Sequence, residues 1–558
     1  MKSETLQKDL KSKFGGVITG FETPKPDRLY IDVKKEGFKN VAYELWRDGA
    51  RYLVGVGYDN ISRDGSLGMI HCFAYDGEKL LVNLRTATPE KDPVFDSVTP
   101  EIPGAGWSER EYQDLLGMKF TGHPKPKKLV TADDWPDNIY PLRKDVPYDL
   151  VPPSAEDVAY QLDECPEGCS VIPVGPFHPS LHEPNHWAVY VDGETIKGAD
   201  YRGFMTHRGI EKLCTTQVSY NEIPFIAERI CGICGSVHAT AYSQAVEEAV
   251  GLKISRRAEY IRTAMLEIER LHSHLLWLGV AGHLIGFDTV FMQSWRVREQ
   301  IMWLCERITG NRKTYGMIII GGVRRDLTPE TQKEILDVLK KVEEETMVIF
   351  KAIKGDTAIH KRTKGVGFIT REQAVKWSLV GPVARARGVD IDVRRDHPYA
   401  AYNDVKFDVP VVDSCDVWGT VVVRILEIFE AIKIIRQLFD QMPAGELITE
   451  VEEALPALKH GISNVEAPRG ESVHYVITGE ENRPDRWRVR APTYPNLQGV
   501  PDMLTNDQFA DFPIILGSID PCFSCTDRVN IVNVRSGKIK VMNRLELENM
   551  SRNYKRGR

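Results

Sequence analysis

The sequence predicts a multidomain protein in which a small α+β domain precedes a large, mainly α-helical domain. The chain has 558 residues, whereas a single hydrophobic core stops growing near ~250–300 residues. Short apolar runs separated by turn residues fill residues 1–146, and apolar residues at helical spacing dominate residues 171–528. These patterns predict two folded domains joined by a linker.

Composition limits the classes of function. The chain is 42% hydrophobic and 27% charged, as in folded globular proteins. Its net charge of -7 provides no general basic surface for nucleic acid. No uncharged apolar run approaches the ~20 residues of a membrane span, and no secretory signal is visible. We therefore expect the ten cysteines to be reduced thiols, available for metal binding or redox chemistry.

Two patterns support the α+β assignment of the first domain. Residues 69–85 predict a hairpin, because Asp76-Gly77 in the middle supplies the positive φ angles of a tight turn. Residues 108–118 predict a helix that begins with a capping box formed by Ser108 and Glu111.

The segment 147–170 is rich in Pro, Asp and Glu, and we interpret it as a linker. Its Cys165 and Cys169 form a C-x-x-x-C pair with no second pair nearby. We do not expect this pair to bind a metal.

The large domain is predicted from three helical stripes. Apolar residues recur at spacings of three and four, which places them on one face of a helix. The stripes cover residues 261–278, 335–349 and 425–438. Thr328 followed by Pro329 predicts the start of the second helix.

Residues 182–186 (HEPNH) match the zinc-protease pattern H-E-x-x-H. That chemistry needs both histidines on one face of a helix. Pro184 stands inside the pattern, where a helical proline costs ~3 kcal/mol, and residues 187–191 predict a strand. The sequence therefore argues against a protease site.

Two Cys-x-x-Cys pairs, Cys231/Cys234 and Cys522/Cys525, carry the strongest chemical signal. Four thiolates would form a soft site for zinc, nickel or iron. The pairs of a zinc knuckle usually stand ~15–20 residues apart, which excludes such a knuckle here but leaves open a zinc site closed by tertiary folding. A thioredoxin-like disulfide would explain only one pair.

The surroundings of the two pairs resemble the large subunit of nickel–iron hydrogenases. His238 follows the first pair by four residues, and Asp520-Pro521 precedes the second. Further similar segments are 175–179 (GPFHP), 206–212 (THRGIEK), 466–470 (EAPRG) and 491–493 (APT). The resemblance implies the hydrogenase large-subunit fold for residues 171–528.

The first domain resembles the thirty-kilodalton subunit of respiratory complex I. The similar segments are 109–111 (ERE), 114–117 (DLLG), 120–124 (FTGHP) and 141–145 (PLRKD). Such a fusion is similar to membrane-bound, energy-converting hydrogenases of the formate hydrogenlyase type. The alternative is a non-catalytic or quinone-site subunit of a complex I-like NADH dehydrogenase, whose large subunit shares the fold but lacks the four cysteines. Their presence here favours the hydrogenase.

The resemblance implies a nickel–iron centre with carbon monoxide and cyanide on the iron. Cys231 and Cys522 would be terminal ligands of nickel, and Cys234 and Cys525 would bridge nickel to iron. Dihydrogen would be cleaved heterolytically, and the first candidate base is a terminal thiolate such as that of Cys522.

Five further residues take roles from the same resemblance. Arg469 is the second candidate base, although its high pKa makes it a poor one. We expect Glu211 to be the first station of the departing proton, with a pKa raised by partial burial. His238 and Asp520 would orient the thiolates, and Thr493 would donate a hydrogen bond to a cyanide.

The remaining cysteines do not have iron–sulfur spacing, so we expect no iron–sulfur cluster in this chain. Electron transfer would then need a small iron–sulfur hydrogenase subunit. The resemblance also implies a ferredoxin-like subunit and membrane-integral complex I-like subunits, with this chain peripheral on the cytoplasmic side of the cell membrane.

Residues 529–558 form a basic extension with a net charge of +6 from eight Lys or Arg and two Glu. In the family the last cysteine motif lies at the mature C-terminus. We therefore predict that a maturation endopeptidase cuts between Arg528 and Val529. The alternative is a basic tail that binds a partner or anionic lipid.

Overall fold

A five-stranded sheet with the order β1-β2-β5-β4-β3 organises the N-terminal domain. Its strands are β1 (Ile18–Lys25), β2 (Arg28–Val33), β3 (Arg51–Asn60), β4 (Ser66–Tyr75) and β5 (Leu80–Pro89). β2 and β5 are parallel, and the other neighbours are antiparallel. The computed structural model describes residues 2–150, 152–153, 162–181, 183–452 and 454–525, with two short strands beyond them.

Helices cover one face of this sheet. They are α1 (Lys2–Phe14), α2 (Lys35–Arg47), α3 (Ile61–Asp64) and α4 (Gly106–Leu116), accompanied by a short parallel pair, β6 (Val94–Asp96) and β7 (Lys119–Thr121). Apolar residues of α1, α2 and α4 form one core with the strands. The domain is therefore α+β, as the sequence predicted.

The predicted hairpin is confirmed as β4 and β5, but the predicted type of its turn was wrong, and so was the predicted capping box. The β4–β5 loop is a short 3-10 turn, Asp76–Glu78, and Lys79 takes the left-handed conformation. The Asp76 carboxylate is held by Arg51 (2.9 Å), which fixes the loop from outside the hairpin.

The capping box is also absent, because α4 begins at Gly106. Ser108 Oγ instead accepts the Gly55 N–H (3.3 Å), and the Glu111 carboxylate binds Arg488. Both side chains therefore bind residues that are distant in sequence instead of capping the helix.

The C-terminal domain combines long helices with two three-stranded sheets. Its helices are α5 (Ile210–Thr216), α6 (Ile223–Ala227), α7 (Gly235–Val250), α8 (Arg256–Leu284), α9 (Asp288–Thr309), α10 (Pro329–Gly355), α11 (Thr357–Thr363), α12 (Arg371–Lys376), α13 (Gly381–Arg385), α14 (Val393–Asp396), α15 (Val417–Asp440), α16 (Thr493–Gln498), α17 (Val500–Leu504) and α18 (Phe512–Ser518). The three stripes predicted from sequence lie in α8, α10 and α15, and Thr328 Oγ1 caps α10 by accepting the Thr331 N–H.

The strands of this domain make it less purely helical than the sequence predicted. They are β8 (Ser170–Val174), β9 (His186–Asp192), β10 (Thr195–Arg202), β11 (Ile318–Ile319), β12 (Gly322–Val323), β13 (His460–Ala467), β14 (Gly470–Thr478) and β15 (Pro484–Arg490), followed by the short strands β16 (Ile531–Val532) and β17 (Ile539–Lys540). The sheets have the orders β10-β9-β8 and β13-β14-β15. No described helix has the length and apolar character needed to cross a bilayer.

The two domains share a sheet-on-sheet interface. Val54 and Ile70 on the outer face of the N-terminal sheet belong to one apolar cluster with Val473 and Ile477 of β14. Burial of this face argues against free motion of the domains, because loosely joined domains meet through smaller, more polar interfaces.

Three arginines of β15 cap the edge strand β3. Arg486, Arg488 and Arg490 donate through Nε to the carbonyl oxygens of Gly57 (2.8 Å), Gly55 (3.1 Å) and Leu53 (2.9 Å), respectively. Alternate residues of a strand face the same side, so one face of β15 satisfies alternate carbonyls of β3. This arrangement places β15, and the residues that follow it, against the N-terminal domain.

Candidate metal centre

Cys231 and Cys234 lie where the chain enters α7. Cys231 Sγ accepts the N–H groups of Ile233 (3.4 Å) and Cys234 (3.2 Å). Both thiols are buried. The interaction with Cys231, followed by burial, raises the pKa of the Cys234 thiol. A metal ion must therefore displace protons when it binds here.

Cys522 comes to the first pair from the far end of the domain. Its Sγ lies 3.5 Å from Cys231 Sγ, although the residues are 291 apart in sequence. Asp520, with a left-handed φ of 54°, turns the chain after α18. Thr493 Oγ1 accepts the N–H of Cys522 (3.1 Å) and so fixes this loop. Cys525 ends a 3-10 turn, and its side chain is outside the described part of the chain.

The donor set fits soft metals. Within the described residues, no three His, Cys, Asp or Glu side chains meet closely enough to complete a metal site. Two thiol sulfurs are nevertheless in contact, and a third thiol stands one turn away in the same loop. Thiolate sulfur is the preferred donor for nickel and iron in such sites, so these side chains are suited to a nickel–iron centre.

Arg469 is fixed beside the thiols. Its Nε donates to the carbonyl oxygen of Asp520 (2.7 Å), and its Nη2 donates to the carboxylate of the same residue (2.8 Å). Burial lowers the pKa of Arg469, but Asp520 and the three described thiols raise it, and the net shift is upward. The guanidinium therefore stays charged, and it can compensate the negative charge of thiolates.

A chain of buried rings leads to His238. Trp487 Nε1–H donates to His474 Nδ1 (3.2 Å), so the proton of His474 is on Nε2 and is donated to His238 Nδ1 (3.0 Å). Burial lowers the pKa of His238 to about 4, which keeps the ring neutral. His238 therefore carries its proton on Nε2, a buried atom without a partner among the described residues. This N–H has no acceptor among the described residues, and the role of His238 in orienting a thiolate stays a prediction.

The pKa of Glu211 shifts in the direction opposite to the one predicted from sequence. Its Oε2 pairs with Arg486 Nη1 (2.7 Å), and its Oε1 accepts from Arg488 Nη1 (3.3 Å) and from the Val489 N–H (3.0 Å). Burial raises the pKa of Glu211, but the two arginines lower it, and the net shift is downward. The expected rise toward neutrality was wrong, because the arginines stand far away in sequence and are adjacent in the fold.

Glu183 is the carboxylate that sequence reasoning missed. Its Oε2 accepts the N–H of Ser524, inside the second cysteine motif, at 2.7 Å. Burial raises the pKa of Glu183; the Ser524 N–H opposes this rise and nearby Cys231 adds to it. The residue belongs to the HEPNH run that was excluded as a protease motif, and the next strand, β9, begins at His186. The run therefore lies in a loop that contacts the second cysteine motif.

Cys165 and three further positions complete the set of residues considered from sequence. Cys165 is exposed and its Sγ lies 3.4 Å from the carbonyl oxygen of Cys169. His182, Arg528 and Val529 are outside the described residues.

Three family models match the chain. Residues 31–150 match the respiratory-chain NADH dehydrogenase 30 Kd subunit, and residues 208–294 match the nickel-dependent hydrogenases. Residues 285–463 and 454–528 match the 49 Kd subunit of respiratory-chain NADH dehydrogenase. The match to the nickel-dependent hydrogenases contains Cys231 and Cys234. The second segment of the match to the 49 Kd subunit contains Cys522 and Cys525.

Proteins of known identity support the same assignment. The chain is 39% identical to formate hydrogenlyase subunit 5 of Escherichia coli strain K12, covering 97% of this chain and 96% of that protein. It is 38% identical to hydrogenase-4 component G of the same organism, covering 98% and 96%. A solved structure, an archaeal membrane-bound sulfane sulfur reductase, is 28% identical with a TM-score of 0.62, covering 66% of this chain and all of that one. The chain thus belongs to the complex I-related nickel–iron hydrogenase large subunits of the formate hydrogenlyase type, with a fused N-terminal domain like the complex I 30 Kd subunit.

Proposed function

We propose that this chain is the catalytic subunit of a nickel–iron hydrogenase that interconverts dihydrogen with protons and electrons. The observation that supports this proposal most directly is the contact between Cys231 Sγ and Cys522 Sγ (3.5 Å), which brings together the two cysteine motifs of the family. A nickel–iron centre, when bound, supplies the redox chemistry of this reaction. Side chains of this chain would bind the metals and transfer protons, and partner subunits would transfer electrons.

The cysteines would hold the metals as four thiolates. Cys231, Cys234, Cys522 and Cys525 would hold nickel and iron, and carbon monoxide and cyanide would be further ligands of the iron. Thr493 would donate a hydrogen bond to a cyanide. Support for an anionic ligand set comes from Arg469, whose charge is held next to the thiols.

Proton transfer is assigned first to a terminal thiolate and then to Glu183. A raised pKa makes a carboxylate a better proton acceptor. Burial raises the pKa of Glu183, and its carboxylate is hydrogen-bonded to the second cysteine motif. Glu211, which the sequence predicted as the first station, is proposed instead as a later station, because it is a carboxylate between two arginines.

Electrons require partners. We propose a small iron–sulfur subunit next to this chain, a ferredoxin-like subunit, and membrane-integral subunits related to complex I. The chain would then be a peripheral subunit on the cytoplasmic side of the cell membrane. The similarity to membrane-bound complexes supports this assembly.

Removal of residues 529–558 is part of the proposal. The match to the 49 Kd subunit ends at residue 528, the position at which we propose cleavage. A maturation endopeptidase would cut there once the metals are inserted.

The second candidate, a quinone-site subunit of a complex I-like enzyme, is favoured by the two matches to NADH dehydrogenase subunits. Hydrogen-dependent reduction of a viologen dye by the purified complex separates the two. The hydrogenase proposal predicts dye reduction under hydrogen. A complex that reduces quinone with NADH and is inert to hydrogen would support the second candidate.

A further inference from the structure

The peptide group of Ser524, inside the second cysteine motif, is held by side chains on both sides. Its N–H donates to Glu183 Oε2 (2.7 Å), and its carbonyl oxygen accepts from Arg208 Nη2 (2.7 Å). Glu183 lies in the loop before β9, and Arg208 lies in the loop between β10 and α5. Two loops that are distant from Ser524 in sequence therefore fix the tip of the motif, between Cys522 and Cys525.

Arg208 also binds the backbone that leads into the first cysteine motif. Its Nη1 donates to the carbonyl oxygen of Arg229 (2.6 Å), and its Nη2 donates to that of Ile230 (2.9 Å). Cys231 follows directly in the sequence. Because Nη2 serves both Ile230 and Ser524, a single nitrogen joins the backbones of the two motifs.

The chemistry of these bonds suits an arginine. A guanidinium presents its N–H groups in a fixed planar fork, whereas the ammonium of a lysine is a compact charge on a flexible stem. All three acceptors are carbonyl oxygens, so the contact does not depend on the protonation of a partner side chain. Gly209, with a left-handed φ of 62°, turns the chain between Arg208 and α5, and glycine adopts this conformation without strain.

The tip of the second motif needs such contacts more than its beginning does. Thr493 Oγ1 fixes the beginning by accepting the N–H of Cys522 (3.1 Å). The tip, at Ser524, is held by the two side chains described above. In the processed chain proposed above, residues 526–528 alone would follow the motif. No later helix or strand would then anchor the tip, so its position would depend on side chains from other loops.

The charge of Arg208 acts on the interior of the site. Its hydrogen bonds to described residues all end on carbonyl oxygens, and no described carboxylate pairs with it. Burial lowers the pKa of His238, Cys231 raises it, and the charge of Arg208 lowers it. Arg469, in contrast, is paired with the carboxylate of Asp520. Arg208 therefore supplies a positive charge near the thiols that no described acid neutralises.

We propose that Arg208 is a positioning residue that links the second cysteine motif to the first, and that its positive charge offsets the negative charge of the thiolates. This inference rests on the proposed hydrogenase function. Without the guanidinium, Ser524 keeps its contact with Glu183 but loses its link to Ile230, so the motifs separate more easily and bound metal is lost faster. Without the charge, the oxidised and more positive state of the metal site is favoured, so its reduction potential falls.

Arg324 is a matched control. Like Arg208 it is exposed, and its Nη1 donates to a carbonyl oxygen, that of Gly316 (3.2 Å). Its guanidinium lies over the ring of Phe225 (5.4 Å), and neither partner belongs to a cysteine motif. Arg324→Gln therefore removes an exposed positive charge and a carbonyl contact without affecting the link between the two motifs.

The test uses the full complex carrying Arg208→Gln, Arg208→Lys or Arg324→Gln, kept free of oxygen. The measurements are the rate at which a chelator removes nickel, the reduction potential of the nickel signal in electron paramagnetic resonance, and the alkylation of Cys522 by iodoacetamide in the nickel-free complex. We expect Arg208→Gln to lose nickel about tenfold faster than the parent, with a lower potential and faster alkylation. Arg208→Lys should lose nickel at an intermediate rate with the parental potential, and Arg324→Gln should match the parent throughout.

The linking role would be refuted if Arg208→Gln lost nickel at the parental rate, or if Arg324→Gln lost it as fast as Arg208→Gln. If Arg208→Gln binds no nickel, parental alkylation of Cys522 in the nickel-free complex refutes the link. The charge role fails if Arg208→Lys lowers the potential as far as Arg208→Gln, or if neither lowers it. A parent complex without nickel would refute the proposed function itself, whereas the alkylation of Cys522 would still decide whether Arg208 links the two motifs.

Discussion

At the residue scale, the environment of each carboxylate decides its role. Glu183 and Glu211 are both close to the cysteine loops, and burial acts on both. Two arginines reverse the effect at Glu211, whereas the backbone N–H groups of Ser524 and Phe523 and the charge of Arg469 only moderate it at Glu183. Glu183 is therefore the better proton acceptor, and Glu211 is the more stable anion.

Glu183→Gln should slow exchange of deuterium gas with water roughly 100-fold at unchanged nickel content, because the amide keeps the shape but carries no proton. Glu194→Gln, an exposed position at the adjoining β9–β10 turn, should have no effect. Parental exchange in Glu183→Gln would remove this carboxyl from the reaction.

Residue types could be predicted from sequence more readily than residue states. The spacing of the cysteines pointed to Cys231 and Cys522 as ligands of one site, and the fold brings them into contact. The downward pKa shift of Glu211 could not be predicted, because it depends on arginines about 275 residues later in the chain. Glu183 was missed because its motif was judged only as a protease pattern.

At the element scale, a carboxylate from another helix holds the start of α7. Glu269 of α8 accepts the N–H groups of Ser236 (2.8 Å) and Val237 (3.1 Å), immediately after Cys234. Burial raises the pKa of Glu269 to about 7. This contact satisfies two of the free N–H groups of the helix and sets the direction in which α7 leaves the cysteine loop.

Glu269→Ala should therefore weaken retention of nickel, since loss of such a cap costs about 1–2 kcal/mol. Glu269→Gln should retain more metal, because it keeps one acceptor oxygen. Nickel per chain after dialysis against a chelator measures both variants. Equal retention in the parent and in Glu269→Ala would show that this contact does not position Cys234.

Long helices with a regular apolar stripe could be predicted from sequence, whereas the residues that cap helices were harder to predict. The stripes of α8, α10 and α15 and the Thr328 cap were all observed. The capping box at Ser108 was not, because Gly55 and Arg488 bind those side chains. A prediction from local sequence, such as a capping box, fails where a residue on a distant strand binds the same side chain more strongly.

At the scale of the whole molecule, the domain interface combines an apolar cluster with buried ion pairs. Burial raises the pKa of Glu471, but Arg51 and Arg490 lower it to about 2. A carboxylate with a lowered folded-state pKa adds stability above its unfolded pKa, near ~4.5, and that stability is lost as pH falls toward 2.

Glu471→Gln should lower the thermal midpoint at pH 7, for a contribution on the order of 3 kcal/mol. The difference from the parent should narrow as pH falls below about 4.5. Scanning calorimetry at pH 7, 5 and 4 follows this trend. A difference that stays constant down to pH 4 and lower would refute the charge-based origin of the effect.

The C-terminal extension gives a prediction for the whole chain. If residues 529–558 are removed after metal insertion, the intact mass of the active complex corresponds to a chain ending at Arg528, and nickel-starved cells retain the longer form. A chain that retains Arg558 in active enzyme would contradict processing and favour the basic tail that binds a partner or lipid.

The two-domain plan was predictable because each half carries its own pattern and its own family resemblance. The amount of β-strand in the second domain was not predictable, since β13 is buried from Gly461 onward, β14 is buried throughout, and neither shows clear alternation. The pairing of β15 arginines with β3 carbonyls also depends on both domains at once.

Nickel and iron analysis of the complex, purified without oxygen, tests the central claim most directly. We predict about one nickel per chain in the parent, and loss of nickel and of hydrogen turnover in Cys231→Ser, Cys234→Ser, Cys522→Ser and Cys525→Ser. Cys165→Ser and Cys169→Ser should match the parent, because Cys165 is exposed and Cys169 half-buried, unlike the buried thiols of the site. An assembled complex that holds zinc or no metal at these cysteines, or a site variant that turns over hydrogen as the parent does, would contradict the account.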